Sequence, residues 1–188
     1  MRNSEKRESI LKTANDLFER SGFNGIGVDL IAKESKVTKR TLYKHFGSKE
    51  GLIKEVLLKH HSEMMESTRA RILAVEGGAK ARLLACFEVY RTWFGKSNFN
   101  GCIFIKTLNE FAGCSTALGQ IAQDAKDGMR AFIAEIATEY GAKGPEKLAL
   151  ELQLLLEGSI ILAQSGSGLA AIEASLEVAE DLIDRALA

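Results

Sequence analysis

The run Val37-Thr38-Lys39-Arg40-Thr41-Leu42-Tyr43-Lys44-His45-Phe46 decides how the rest of the chain is read. As a helix it starts from Thr38, whose hydroxyl can accept from the orphan amides of the first turn. Leu42 and Phe46 then lie four residues apart on one inward face. The opposite face carries Lys39, Arg40, Tyr43, Lys44 and His45. A helix this short is marginal in water by itself, so its neighbours must hold it. Its cationic, hydrogen-bonding face has two readings: an ordinary solvated surface, or a surface that enters a nucleic-acid groove. The flanking sequence bears on the choice.

Upstream, Val28-Asp29-Leu30-Ile31-Ala32-Lys33-Glu34-Ser35 puts Val28, Ile31, Ala32 and Ser35 on one stripe, which is a short amphipathic helix. Only Ser35-Lys36-Val37 separate it from Thr38. Two short helices joined by a tight turn, the second one basic, have the spacing of a helix-turn-helix, in which the second helix enters the major groove. Downstream, Gly47 stops the basic helix and Ser48 caps another, with Lys49 and Glu50 in its first turn. From Ser4 to Ser21, Ile10, Leu11, Ala14, Leu17 and Phe18 recur at helical spacing, and Gly22 follows as a residue free to turn left-handed. Phe18, Phe23, Ile31, Leu42 and Phe46 are the expected miniature core.

The segment from Gly22-Phe23 through the Leu42-Tyr43-Lys44-His45-Phe46 run to Ser48-Lys49-Glu50-Gly51-Leu52-Ile53 resembles the DNA-binding domain of the TetR family of bacterial transcriptional repressors. The resemblance implies a helix-turn-helix domain over residues 1–61, with a ligand-binding and dimerisation domain over residues 62–188. It further implies a homodimer on a near-palindromic double-stranded operator, released by a small molecule and acting as a repressor. It assigns Lys39, Arg40, Thr41, Tyr43, Lys44 and His45 to the DNA surface, and Thr38 and Lys49 to phosphates. One departure stands out. Gly27 occupies the place where the family commonly has Ser or Thr, which cap the second helix and touch a phosphate.

Formal net charge is zero, but the charge is unevenly distributed. Residues 1–61 hold 13 Lys and Arg against 8 Asp and Glu, whereas residues 62–188 hold 12 against 17. A basic first part joined to an acidic remainder fits one region that meets phosphates and another that does not. No apolar run approaches the roughly 18 residues of a membrane span, and the polar start Met1-Arg2-Asn3-Ser4-Glu5-Lys6-Arg7 lacks a signal-peptide core; a cytoplasmic protein without a membrane partner is expected. The three cysteines, Cys86, Cys102 and Cys114, are an odd number with no CxxC pair, which disfavours a disulfide scaffold or a zinc site. Adjacent His60 and His61 face different directions, so a surface or interdomain role outweighs metal ligation. Glu88, Glu110 and the three histidines form no catalytic constellation, so no enzyme, cofactor or metal is expected.

Leu52, Ile53, Val56, Leu57, His60 and Met64 continue a stripe along a helix running to about Val75, long enough to belong to both expected domains. After Glu76-Gly77-Gly78 come helical stripes at Leu83, Leu84, Phe87, Tyr90 and Phe94, at Ile103, Phe104, Leu108 and Phe111, and from Leu118 to Tyr140. No strand-like alternation occurs, so the fold class is all-α with about nine helices. Eight of the thirteen aromatic residues fall between Phe87 and Phe132, which admits a packed core or an apolar ligand cavity with a few polar anchors. For a cavity, the expected lining is Phe87, Tyr90, Phe94, Phe104, Lys106, Leu108, Phe111, Met129 and Phe132.

Gly101-Cys102-Ile103-Phe104 resembles the start of the central ligand-domain helix in one branch of the family. Cys102 is either a small apolar residue at a helix start or a reactive thiolate, with Cys114 as a resolving partner; the second choice makes the chain a redox- or electrophile-sensing regulator. Finally, Leu148–Leu156 and Ile160–Ala163 are apolar almost all round, so this helix must bury a second face. Pairing it and the last helix with symmetry mates gives a two-fold dimer, with Leu152, Leu156, Ser159, Ala163, Ala171, Ala174, Val178 and Leu182 expected at the interface.

Overall fold

Nine α-helices and no strands account for the regular structure among the described residues of the computed structural model, which are residues 3–111 and 116–187. α1 (Asn3–Ser21) buries Ile10, Leu11, Ala14, Leu17 and Phe18, the stripe read from the sequence. It ends at Gly22 (φ 72°), whose amide bonds Phe18 O at 2.9 Å; a residue with a Cβ resists this left-handed geometry. α2 (Val28–Glu34) buries Ile31 and Ala32, and α3 (Lys39–Phe46) buries Leu42 and Phe46. Phe18, Phe23, Ile31 and Leu42 are fully buried and Phe46 nearly so, which makes them the miniature core. Burying each of these side chains stabilises the fold by about 1.5–3 kcal/mol.

α4 (Lys49–Leu73), α5 (Gly78–Phe94), α6 (Ile103–Phe111) and α7 (Thr116–Glu139) follow. α8 (Pro145–Leu162) starts with proline in its first turn, where a missing amide costs nothing. A π-helical segment, Ala163–Ser167, with Gly166 at φ 117°, leads into α9 (Leu169–Leu187).

The chain divides into two compact units. The first comprises Met1–Glu63 and Cys102–Ala125; the second comprises Met64–Gly101 and Lys126–Ala188. The first unit therefore reaches two residues past the expected boundary at 61 and also takes in α6 and the start of α7. It is not one continuous stretch, because α6 is hydrogen-bonded to α1 and to the turn after it rather than standing as part of a separate carboxy-terminal block.

In the second unit α9 packs on α5 and α8. Contrary to the expectation that no run is apolar enough to span a membrane, Pro145–Ser167 has the length and mean hydropathy (1.3) of such a segment. Its Leu148, Leu152, Leu156 and Ile160 are nevertheless buried within the protomer, as in the core helix of a bundle.

Candidate nucleic-acid interface

The basic helix is fixed at both ends by the residues its sequence supplies. Thr38 has extended backbone (φ −86°, ψ 153°), and its Oγ1 accepts from the Thr41 amide at 3.2 Å and lies 2.9 Å from Thr41 Oγ1. Such a cap contributes about 1 kcal/mol. At the other end Gly47 (φ 72°) donates its amide to Tyr43 O at 2.8 Å. Ser48 Oγ then accepts from Gly51 N at 2.9 Å and starts α4. The turn between α2 and α3 closes through Val37 N to Ala32 O (2.9 Å), with Lys36 at φ 57°. Lys36 is the one non-glycine residue with positive φ among the described residues, held in a conformation that disfavours any side chain with a Cβ.

With Leu42 and Phe46 buried, Arg40, Tyr43 and Lys44 project into solvent; Tyr43 is 44% exposed. Thr38 and Gly27 are exposed beside them, and Gly27 caps α2 without any side-chain hydrogen bond. Three other assigned residues sit differently from expectation. Lys39 is exposed, but its ammonium pairs with Asp29 of α2 at 2.6 Å. His45 is only half-exposed, and its Nε2 is buried without a hydrogen-bond partner, because the ring leans toward Phe46 with centroids 6.0 Å apart. Lys49 turns its ammonium to Phe23 O at 2.7 Å instead of pointing outward. Sequence spacing put all three on the polar side of their helices, but it could not show these partners.

The residues expected to line a ligand cavity fall into both units. In the first, Phe104 is buried with its ring at 5.6 Å from His60 and 6.1 Å from His61, and Phe111 stacks on Phe23 at 5.4 Å. Leu108 is half-buried there. Lys106 donates to Glu19 O; burial pulls its pKa below the ordinary lysine value, while Glu19, Glu110 and Cys102 oppose that shift. In the second, Tyr90, Trp93, Phe94 and Phe99 form an aromatic cluster with centroids 4.9 to 6.2 Å apart. Phe87 and Met129 are buried, and Phe132 lies under the Arg69 guanidinium at 4.1 Å. A solvent-open cleft of about 250 Å³ in the first unit is lined by Glu8, Lys12, Asn15, Val56, Lys59 and His60, and by none of the expected cavity residues.

Cys102 is buried at the start of α6, and Cys86 is buried so thoroughly that its thiol is pushed up to about 12. Cys114, the suggested resolving partner, lies outside the described residues. Among those residues no three His, Cys, Asp or Glu side chains gather as metal ligands.

The expected dimer contacts need correction. Leu152, Leu156, Ser159, Ala163 and Ala171 are all buried inside the protomer, so they build its own core. A helix that is apolar all round has an inner face as well as an outer one, and Leu152, Leu156 and Ser159 belong to the inner face of α8. Ala174 and Val178 are exposed and Leu182 is half-exposed. The exposed large apolar residues here are Leu150, Leu154, Ile161 and Leu162 of α8, with Leu169 and Val178 of α9.

A capped, basic second helix on a three-helix core is the arrangement of a helix-turn-helix unit, the class of module that presents a helix to duplex DNA. Residues 10–56 match the family described as "Bacterial regulatory proteins, tetR family". The HTH-type transcriptional regulator YjdC of Escherichia coli K12 is 22% identical over 179 residues, covering 95% of this chain and 93% of YjdC. The HTH-type transcriptional repressor NemR of the same organism is 25% identical over 138 residues, covering 73% of this chain and 69% of NemR. The crystal structure of the reduced form of E. coli NemR superposes with a TM-score of 0.87 at 22% identity, covering 94% of this chain and 95% of that one. SCO4454, a TetR-family transcriptional regulator from Streptomyces coelicolor, also gives 0.87 at 22% identity, covering 97% and 96%. Residues 10–56 thus match the amino-terminal domain of TetR-family regulators, and the chain as a whole shares the fold of solved members of that family.

Proposed function

We propose that the protein is a homodimeric repressor that holds a near-palindromic operator through two copies of α3 and releases it when a small molecule binds. The observation that carries the reading is the division of α3: Leu42 and Phe46 are locked into the core while Arg40, Tyr43 and Lys44 stand free beside the exposed start of α2. Arg40 reads a base edge, Tyr43 and Thr38 position phosphates, and Lys39 joins them on leaving Asp29. Dimerisation uses the exposed apolar face of α8 and α9 around Leu150, Leu154, Ile161 and Val178. A repressor is favoured over an activator because NemR, similar over most of this chain, carries that description. A chromosomal operator puts the site of action in the cytoplasm.

The aromatic residues of the second unit supply the apolar part of the small-molecule site, with Tyr90 as a polar group among them. Selecting duplexes from a random pool, then screening compounds for release of the selected one, tests the whole reading. A near-palindrome released by an apolar or aromatic compound is the expected result. Enrichment of an asymmetric site, or of nothing, contradicts it.

A second reading is a thiol-gated regulator acting through Cys102. The likeness to a protein whose structure is described as its reduced form favours it; the burial of Cys102 weighs against it. Oxidant should then abolish DNA binding in the native chain and spare Cys102→Ser. Equal sensitivity of both proteins removes this reading.

A further inference from the structure

Phe23 and Asn24 form the turn that carries the chain from α1 into α2; two charged side chains from elsewhere in the same unit close on it, and a third closes on the end of α1. Glu110 of α6 accepts from the Phe23 amide at 2.9 Å through Oε1, and from the Asn24 amide at 2.7 Å through Oε2. Oε2 also lies 3.1 Å from the Phe23 amide. Lys49, the first residue of α4, donates to Phe23 O at 2.7 Å. Lys106, one helical turn before Glu110, donates to Glu19 O near the end of α1. The Phe23 ring is fully buried, 4.9 Å from Phe18 and 5.4 Å from Phe111. The approach is close enough that a Cβ on Gly22 would collide with Glu110 Oε1.

These contacts bear on direction as well as stability. A carboxylate that accepts from two successive amides fixes the orientation of both peptide planes, and charge-assisted bonds of this kind are stronger than neutral ones. The turn so fixed sets where α2 begins, and α2 sets α3 through the bond from Val37 N to Ala32 O. Glu110 lies outside residues 10–56, the segment matched to the family, and is 86 residues from Asn24 in sequence.

We propose that Glu110 is a positioning residue for operator recognition: without meeting DNA, its carboxylate sets the α1–α2 turn, and through it the seat of α3. This rests on the reading that α3 enters the groove. A groove-reading helix that is slightly misdirected keeps its positive charge but loses registry with base edges. Non-specific binding comes from charge and specific binding from registry, so the two should separate.

The test compares the native chain, Glu110→Ala and Glu110→Gln for binding to the selected operator and to a random duplex, with amide exchange at Phe23 and Asn24 measured alongside. Glu110→Ala should bind the operator about tenfold more weakly, and the random duplex as before, as its two amides exchange faster. Glu110→Gln keeps one acceptor oxygen and should fall between the native chain and Glu110→Ala on both measures, which gives a readout even where the alanine variant folds poorly. Operator affinity equal to native in Glu110→Gln despite lost amide protection overturns the proposal. So does an equal fall on operator and random duplex. A native chain that selects no duplex sinks the groove reading and this inference together; a native chain that selects one which Glu110→Ala binds equally well sinks this inference alone.

Discussion

The outward faces of α3 and of the α8–α9 hairpin are built on opposite plans. On α3 both large apolar side chains, Leu42 and Phe46, are buried, and what remains outside is Arg40, Tyr43 and Lys44. On α8 the core is equally well filled by Leu148, Leu152, Leu156 and Ile160, yet Leu150 (46%), Leu154 (64%), Ile161 (49%) and Leu162 (53%) still face outward. The first surface is stable in water, and cationic groups of its kind are suited to meeting phosphates. The second gains only by being covered, since contiguous exposed apolar side chains mark interaction sites. Two surfaces of this kind on one chain suit a molecule that pairs through one and grips through the other.

Breaking the second surface should have the largest effect. Leu154→Asp adds a charge to an exposed position, so the protomer keeps its fold while the pair separates. If the proposed dimer grips its operator through both α3 helices, losing the tether between them should lower operator affinity by about 10²–10⁴-fold. Sedimentation and a binding titration on one preparation check this, and a variant that stays dimeric with native affinity would mean that the apolar face of α8 serves another purpose.

The next two substitutions sharpen the contrast within α3. Leu42→Ala removes a fully buried side chain and should cost about 2–5 kcal/mol of folding stability in a denaturant titration. Arg40→Ala, two residues away, should leave the unfolding midpoint in place and cost about 1–3 kcal/mol of operator affinity at one base-pair position. Interchanged effects would contradict this division of α3 into a buried and a binding face.

Smaller effects test the scaffold behind it. Lys36→Gly relieves the positive φ in the α2–α3 turn, a gain larger than glycine's added freedom when unfolded, and should raise stability by about 1 kcal/mol in a denaturant titration; a lower midpoint would contradict it. His60 of α4 faces Asn15 (3.0 Å) and Glu19 (3.4 Å) on α1, Glu63 and His61 on its own helix, and Phe104 on α6. Burial pushes its pKa below the ordinary 6.5; Glu19 and Glu63 oppose the shift, and His61 adds to it. The unfolded chain therefore binds the proton more readily, and acid favours unfolding. Stability is full above about pH 6.5 and declines as pH falls from there through the folded-state pKa. His60→Gln should show a smaller loss of melting temperature between about pH 7.5 and 5.5 than the native chain. A native curve that is flat or rises on acidification rules out this role for the imidazole.

How much of this could be read in advance follows from the range of each interaction. α3, its Thr38 cap, its Gly47 stop and the five-residue core were legible because caps and helical stripes are local patterns. The outer face of α8 was not: a helix apolar on every side has no periodicity to say which leucines stay inside, so Leu152 and Leu156 were placed outside although both belong to the core. Nor could spacing reveal that Lys39 pairs with Asp29, Lys49 with Phe23 O and Glu110 with the Phe23 and Asn24 amides, since those partners are brought together only by the fold. The last of these also explains why α6 belongs to the same unit as the helix-turn-helix, across the boundary drawn from the sequence.

The most direct measurement is a hydroxyl-radical footprint of the native protein on its selected duplex. Two α3 helices presented by a two-fold pair should protect two patches centred about 10–10.5 base pairs apart, or a whole multiple of that, on one side of the helix. A single protected patch, or uniform protection with no spacing, would contradict the claim that paired basic helices read successive major grooves.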